Sequence, residues 1–528
     1  MSPAWSSPVI RAFAIPVALL LVSATGSTQL RNASPNTLKA FTISEGTVQQ
    51  LVVPANARKP FSVRVVLGNK LRVLSMRPHS VLSPDFKLVT DDGAKLTTIP
   101  TPAEVTYQGE VLGEPGSSVA GSLLSGQFAA LVIVDGNEWS MQPLTDMLAR
   151  APLNEHIVYE HKHLLKDNTQ CGHTDAHRPP EQQRGGNASP QAGVMKECEI
   201  ALDCNNYYYK RFGSNSTTTF NAATSRINMV DAIYRREVEI CYKIPTIIIR
   251  TTQVYLNGPQ VGCVSGPDLL EELRTRWRTY HTSVRRDVTH MLSGWGSWSG
   301  IIGCAYLSVI CSTTNGYGVS RVVHSTQGRN TGLVAHELGH NWSSGHCNSS
   351  PPCYIMCSGI GGCNNNLTAF GTFAKNKIIP YKNGRSCLSD CCPAASYTYF
   401  GAGCKGTGPN GGVVLLDSLT GPKLGYTMNV RVTNARPNAL AIMMHNIYAA
   451  SIDLTSAGAA GCFLYAQNMF HASAVVTNFG GAGFFSLTIP NITALCGLRF
   501  YDQILVDDSK ANRLGLVLTR RGQPIIGS

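Results

Sequence analysis

The stretch Val334-Ala-His-Glu-Leu-Gly-His-Asn-Trp-Ser-Ser-Gly-His-Cys347 sets three histidines and a glutamate in the spacing of a metal site. On a helix, His336 and His340 are four residues apart and share a face, so two imidazoles can reach one ion. Glu337 stands beside them, where a carboxylate can take a proton from water. His346 follows six residues after His340, too far round to share the helix. It becomes a third ligand if the helix ends near Ser343 and the chain turns back. Three imidazoles with one open position make a catalytic zinc site, whereas a structural zinc is closed by a fourth protein ligand. Chance gives the two-histidine pattern in about one chain of this length in a hundred, and adds the third histidine in about one in several thousand. Incidental histidines on a core helix are the poorer account.

The rest of the chain agrees with an exported protein. Charged residues make up 14% of the 528, with 50 Gly and 28 Pro, against about 25% charged in an average soluble protein. That composition suggests sheet-rich, loop-rich material and excludes disorder, which needs low hydrophobicity and high charge. A net charge of +12 permits nucleic-acid binding without requiring it. The basic run from Arg274 to Arg286 reads as a solvated helix face, so no nucleic-acid partner is expected. Arg11, the apolar run Ala12 to Val22 and the small residues Ser23 to Gly26 read as a secretory signal over residues 1–26. Its apolar run falls short of the ~20 residues that span a bilayer. No later segment reaches that length, so a secreted monomer without a membrane anchor is expected.

Seventeen cysteines in an oxidising compartment mean disulfides, and an odd count asks for an explanation. Cys171 stands alone, with a Gly/Pro/Gln-rich stretch after it; the other sixteen suffice for eight bridges. Cys462 is expected to bridge Cys496, and Cys404 to reach Cys391 or Cys392.

Residues 27–170 hold no cysteine and alternate apolar with polar positions, as in Phe61–Val66 and Phe128–Val134, which reads as a β-rich unit. Residues 172–195 have a linker's composition and invite proteolytic nicking. Helical patterns from about Ala222 to Glu239 and from Pro267 to Leu292, the latter opened by Asp268, flank a buried strand at Tyr242–Val254. Residues 196–392 therefore read as mixed α/β. From residue 393 short alternating runs such as Gly425–Val432 and Phe484–Ile489 suggest a β-sandwich.

The histidine stretch resembles the metzincin metallopeptidases, HExxHxxGxxH followed by a Met-turn, and Met356 in Cys353-Tyr-Ile-Met-Cys-Ser358 fits that turn. The wording is that of the reprolysin or adamalysin (ADAM-type) branch at His336-Glu-Leu-Gly-His-Asn341 and at Gly303-Cys-Ala-Tyr-Leu307 ahead of Gly316-Tyr-Gly-Val-Ser320. The branch's propeptide phrase is matched by Tyr107-Gln-Gly-Glu-Val-Leu-Gly-Glu-Pro-Gly-Ser-Ser-Val119 and Gln142-Pro-Leu144. The likeness covers roughly residues 60–390. Two positions depart from it. Ser343 stands where the family has Gly, leaving Gly345 to ease the turn, and Cys347 replaces an Asp and is inferred to be bridged. Phe400-Gly-Ala-Gly-Cys404 and Pro422-Lys-Leu-Gly425 resemble small β domains that end secreted bacterial, particularly planctomycete, proteins.

The resemblance implies an α/β (α+β) metzincin catalytic domain over 196–392, with a twisted mixed sheet and an active-site helix. A β-rich propeptide (27–171) and a C-terminal β-sandwich (393–528) flank it. It implies a secreted zinc endopeptidase made as a zymogen, with zinc on His336, His340 and His346 and Glu337 as general base. Cys171, in Gln170-Cys171-Gly172, becomes the cysteine switch whose thiolate fills the open zinc position until cleavage in 172–195. That linker offers only isolated Arg178 and Arg184 rather than a basic cluster. Protein or peptide substrates would pair along Gly303, Cys304, Ala305, Tyr306 and Leu307, on towards Val309. Residues 357–368 would line the specificity pocket. Calcium is implied at Glu199, Asp287, the Cys387 carbonyl and Asp390, with surface carboxylates an equal alternative. Asn341 is a formal glycosylation sequon, yet inside the active-site helix it should stay bare. The rivals are a catalytically weak scaffold that binds or adheres through its C-terminal domain, and a zinc enzyme acting on other bonds. The intact Glu337 favours the peptidase.

Overall fold

Val288–Ser293 is a strand buried along its whole length, and the central sheet is built around it. The computed structural model describes residues 30–54, 59–114, 116–124, 126–173, 195–256, 268–296, 300–360, 366–391, 395–490, 492 and 495–527. The expected signal segment, linker residues 174–194, Cys263, Cys363, Cys392 and residues 361–365 lie outside them.

The central sheet runs in the order Gln170–Cys171, Ile301–Ala305, Tyr317–Arg321, Val288–Ser293, Lys196–Cys204, Ile240–Arg250, Leu82–Asp91, Leu96–Ile99. It is mixed. Ile301–Ala305 is antiparallel to Tyr317–Arg321, and the interior pairs are parallel. A short strand, Ser389–Asp390, pairs with Lys196 and Glu197. Interior parallel strands are buried on both faces. This corrects the expected helix over Pro267–Leu292. The helix is only Leu269–Tyr280, capped by the Asp268 carboxylate accepting from the Glu271 amide. An apolar run such as Val288–Ser293 cannot be told from a buried helix by periodicity alone. The preceding helix runs Ser216–Val238, capped by the Asn215 side chain, and starts earlier than its apolar pattern.

A second sheet of nine antiparallel strands lies between Leu30 and Glu160. The hairpin Leu82–Ile99 departs from it. Its first strand pairs in parallel with Ile240–Arg250, while Gln170–Cys171 joins the opposite edge of the central sheet. The N-terminal unit thus supplies strands to both edges of the sheet that carries the histidines.

Beyond residue 395, Leu415–Ser418, Thr427–Thr433 and Gly483–Thr488 form one antiparallel sheet. Leu440–Asp453, Phe463–Val476 and Tyr501–Asp507 belong to another. Both contribute to one apolar core that includes Val430, Met443, Phe485 and Ile504. Two expected pairings are corrected here. Cys404 bridges Cys462 inside this core, with Cα atoms 4.9 Å apart. Cys391 is taken by Cys241, and Cys496 bonds another cysteine. Nor is Cys171 the sole free thiol, because Cys198 and Cys204 are also unbridged, buried as small apolar side chains along Lys196–Cys204. Spacing along a chain does not encode connectivity.

Candidate active site

The helix Gln327–Asn341 is buried at every residue. Its C-terminal turn carries the metal motif, and its packing depends on Gly339. A Cβ there would sit 2.4 Å from Met356 Sδ, so only glycine lets the fully buried methionine pack beneath the histidines. The helix ends at Trp342, whose indole N–H donates to the Tyr242 hydroxyl at 2.8 Å. Ser343 then takes φ 81° and turns the chain back. This replaces the expectation for Gly345: the left-handed residue is the serine itself. Ser308 Oγ donates to Ser343 Oγ at 2.8 Å, and the Cys347–Cys353 disulfide closes the following loop.

The turn brings His346 to the other two histidines. His336 Nε2 lies 3.1 Å from His340 Nε2 and 3.3 Å from His346 Nε2. Cys171 Sγ is 3.5 Å from His340 Nε2, and all four ligand atoms lie within 4.8 Å of one another. Metal–nitrogen bonds of about 2.05 Å and a metal–sulfur bond of about 2.3 Å at tetrahedral angles require N–N near 3.3 Å and N–S near 3.6 Å. The donor set fits zinc. His336 Nδ1 donates to the Ile355 carbonyl and His340 Nδ1 to the Ser344 carbonyl, both at 2.7 Å. Those bonds fix the tautomers and turn each Nε2 lone pair to the cluster. Burial lowers the pKa of His336 to about 3 and takes His340 well below its ordinary value, so the imidazoles are in the neutral form a metal binds.

Glu337 is fully buried, with Oε2 3.5 Å from Cys171 Sγ. Oε1 has no hydrogen-bond partner among the described residues. Burial pushes this carboxyl well above the usual carboxylate range. The neighbouring edge strand can pass this close only because residue 303 is glycine, since a Cβ there would lie 2.1 Å from Glu337 Oε1.

The open edge is Ile301–Ala305, and Gln170–Cys171 lies along it in parallel. The Gly172 amide donates to the Gly303 carbonyl at 3.0 Å and the Cys171 amide to the Ser358 carbonyl at 2.9 Å. The Ile360 amide donates to the Thr169 carbonyl at 3.3 Å. Residues 169–172 are therefore clamped between the edge strand and the loop after Met356. The strand ends at Ala305, just before Tyr306 and Leu307. The Tyr306 amide donates to the Tyr317 carbonyl at 3.2 Å, one step beyond the Ala305–Gly318 pair of the same ladder, and Leu307 is buried. His173, which sequence reading left in the linker, is buried here with its ring stacked on His340, centroids 4.0 Å apart. The adjacent Cys-Gly-His triplet was its only signal.

Of the calcium set, Glu199 and Asp287 meet through the Glu199 amide and an Asp287 carboxylate oxygen at 2.8 Å. Arg285 pairs with the Glu199 carboxylate and Lys196 with Asp390, and Cys387 is bridged to Cys311. Asn341 donates to the Tyr306 and Tyr317 carbonyls and is buried. Among the basic-helix arginines, Arg274 pairs with Glu271 and Arg276 with Asp91.

Residues 194–378 match the family model Reprolysin_5, described as Metallo-peptidase family M12. Over 376 residues, 67% of this chain and 44% of the relative, the sequence is 23% identical to disintegrin and metalloproteinase domain-containing protein 9 of Homo sapiens. Over 259 residues, 46% of this chain and 30% of the relative, it is 26% identical to disintegrin and metalloproteinase domain-containing protein 1 of Rattus norvegicus. The chain spans less than half the length of these curated relatives.

Proposed function

On the premise that residues 194–378 are a reprolysin-type domain of metallopeptidase family M12, we propose that the chain is a secreted zinc endopeptidase held latent by its own N-terminal segment. The observation that carries this reading is the convergence of Cys171 Sγ with His336, His340 and His346 within 4.8 Å. The disulfides support export, and no helix among the described residues is long and apolar enough to cross a membrane.

When bound, zinc supplies Lewis-acid polarisation of the scissile carbonyl and a lowered pKa for water. His336, His340 and His346 hold it. Glu337 accepts the proton of the attacking water and passes it to the leaving amine, a task suited to a carboxylate whose proton affinity burial has raised. An extended peptide main chain would pair with Ile301–Ala305 in place of Gln170–Cys171. Of the expected specificity-pocket residues, 357–360 and 366–368 are described, and Ser358 and Ile360 already contact the latent strand. Cys171 blocks water and substrate together until the linker is cut. Calcium is not carried forward, because Arg285 and Lys196 already engage two of its carboxylates.

The test compares the full chain with Cys171→Ala and Glu337→Gln, zinc content being measured on each. Cys171→Ala should cleave denatured protein without processing. Glu337→Gln in that background should keep zinc and lose about 10²–10⁴-fold in rate. A zinc-loaded Cys171→Ala chain that cuts nothing would return the domain to a binding scaffold.

A further inference from the structure

His173 is 5% exposed in a stretch whose composition reads as open linker. Contacts from its ring and from its amide hold it. Its Nδ1 lies 3.0 Å from the Ala305 carbonyl at the end of the edge strand; a carbonyl only accepts, so Nδ1 carries the proton. Its ring stacks on His340 at 25° and meets His346 edge-on at 5.9 Å between centroids. Its amide turns back and donates to Cys171 Sγ at 3.3 Å. That last bond favours a negatively charged sulfur. It forms only while residue 173 stays folded over residue 171.

We infer that His173 is the positioning residue of the latch: its ring, pinned between His340 and Ala305, holds the amide that orients and stabilises the Cys171 sulfur. The inference rests on the reading of Cys171 as the latch. The ring also covers one face of His340, so the thiol and a metal ligand are shielded by the same side chain. The ring's hydrogen bond and its stacking are separable. Phenylalanine keeps the stack without the donor, and glutamine keeps a donor without the stack.

The experiment uses the full zinc-loaded chain and follows alkylation of Cys171 by iodoacetamide, mapped by peptide mass spectrometry. Cobalt-substituted chain reports sulfur on the metal through its thiolate-to-metal charge-transfer absorption. His173→Ala should raise the alkylation rate about tenfold, the loss of one hydrogen bond and one ring contact, and weaken the absorption. His173→Phe and His173→Gln should fall between His173→Ala and wild type. Wild-type alkylation and absorption in His173→Ala would overturn the inference. If His173→Ala fails to load metal, the Phe and Gln variants decide: a graded order supports the role, and values equal to wild type in both remove it. Cys171→Ala tells the two readings apart. If it is active while His173→Ala matches wild type, only His173 loses its role. If zinc-loaded Cys171→Ala stays silent, the latch itself is wrong.

Discussion

Asp91 and Arg250 form a buried ion pair across the seam between the N-terminal unit and the central sheet, at 3% and 0% exposure. Arg250 also holds Asp203 and donates to the Tyr255 hydroxyl at 3.3 Å. Asp203 in turn accepts from the Trp277 indole at 2.8 Å and the Tyr255 hydroxyl at 2.6 Å. One carboxylate of the hairpin Leu82–Ile99 thus completes a charge cluster belonging to the other unit. Burying a guanidinium is tolerable only while its hydrogen-bonding partners stay in place.

Asp91→Ala is therefore expected to destabilise the chain by about 3 kcal/mol, the lower end for removing one partner of a buried pair, because Asp203 remains. Urea unfolding of the full chain checks this. A change under about 0.5 kcal/mol would mean that the hairpin lies on the sheet without being tied to it.

The same pair sets a pH dependence. Burial alone would raise the Asp91 pKa, but the Gly93 amide and the Arg250 and Arg276 guanidinia outweigh it and hold the carboxyl below its ordinary value. A depressed folded pKa means the stabilisation is complete above the unfolded value of about 3.9 and is lost as pH falls through the folded one. The stability gap between wild type and Asp91→Asn should be flat from about pH 5 to 7 and narrow below about pH 4. Unfolding midpoints across that range measure it, and a gap that widens on acidification would reverse the sign.

The candidate metal centre was more legible than the frame that holds it. His336, Glu337 and His340 could be read because helical spacing alone fixes their relation. His346 required a turn, and the chain supplied it at Ser343, a residue that gives no composition signal for φ 81°. The strand Val288–Ser293 was hidden because burial on both faces erases alternation. The departure of Leu82–Asp91 from its own unit was hidden for another reason: pairing as distant as Leu88 with Ile247 leaves no local trace. His173 shows the limit most sharply, since it is buried against partners far along the chain, among them Ala305, His340 and His346.

Gly303→Ala tests the closeness of edge strand and helix. The added methyl would lie 2.1 Å from Glu337 Oε1, and the strand is paired on both sides. Either the strand or the carboxylate must shift, while the three histidines stay untouched. In the Cys171→Ala background, zinc content should be unchanged and peptide cleavage should fall about 10²-fold or more, as for a misplaced reacting group. Equal loss of zinc and activity would point instead to collapse of the site.

The serine at the turn is the last case, and two effects oppose each other there. A non-glycine residue at φ 81° carries a backbone cost of about 1 kcal/mol that glycine relieves. Ser343→Gly, however, also removes the 2.8 Å bond from Ser308, a net contribution of about 1 kcal/mol. The single change should therefore be close to neutral. Once Ser308→Ala has removed the bond, the same Ser343→Gly change should stabilise by about 1 kcal/mol, so the cycle carries a coupling of that size. Ser343→Val should cost about 2 kcal/mol, because a β-branched residue is strained at positive φ. Denaturant unfolding of the four cycle members, with zinc affinity on each, decides it. Additive single and double changes would mean the hydroxyl pair contributes nothing, and that Ser343 persists at the turn without support from Ser308.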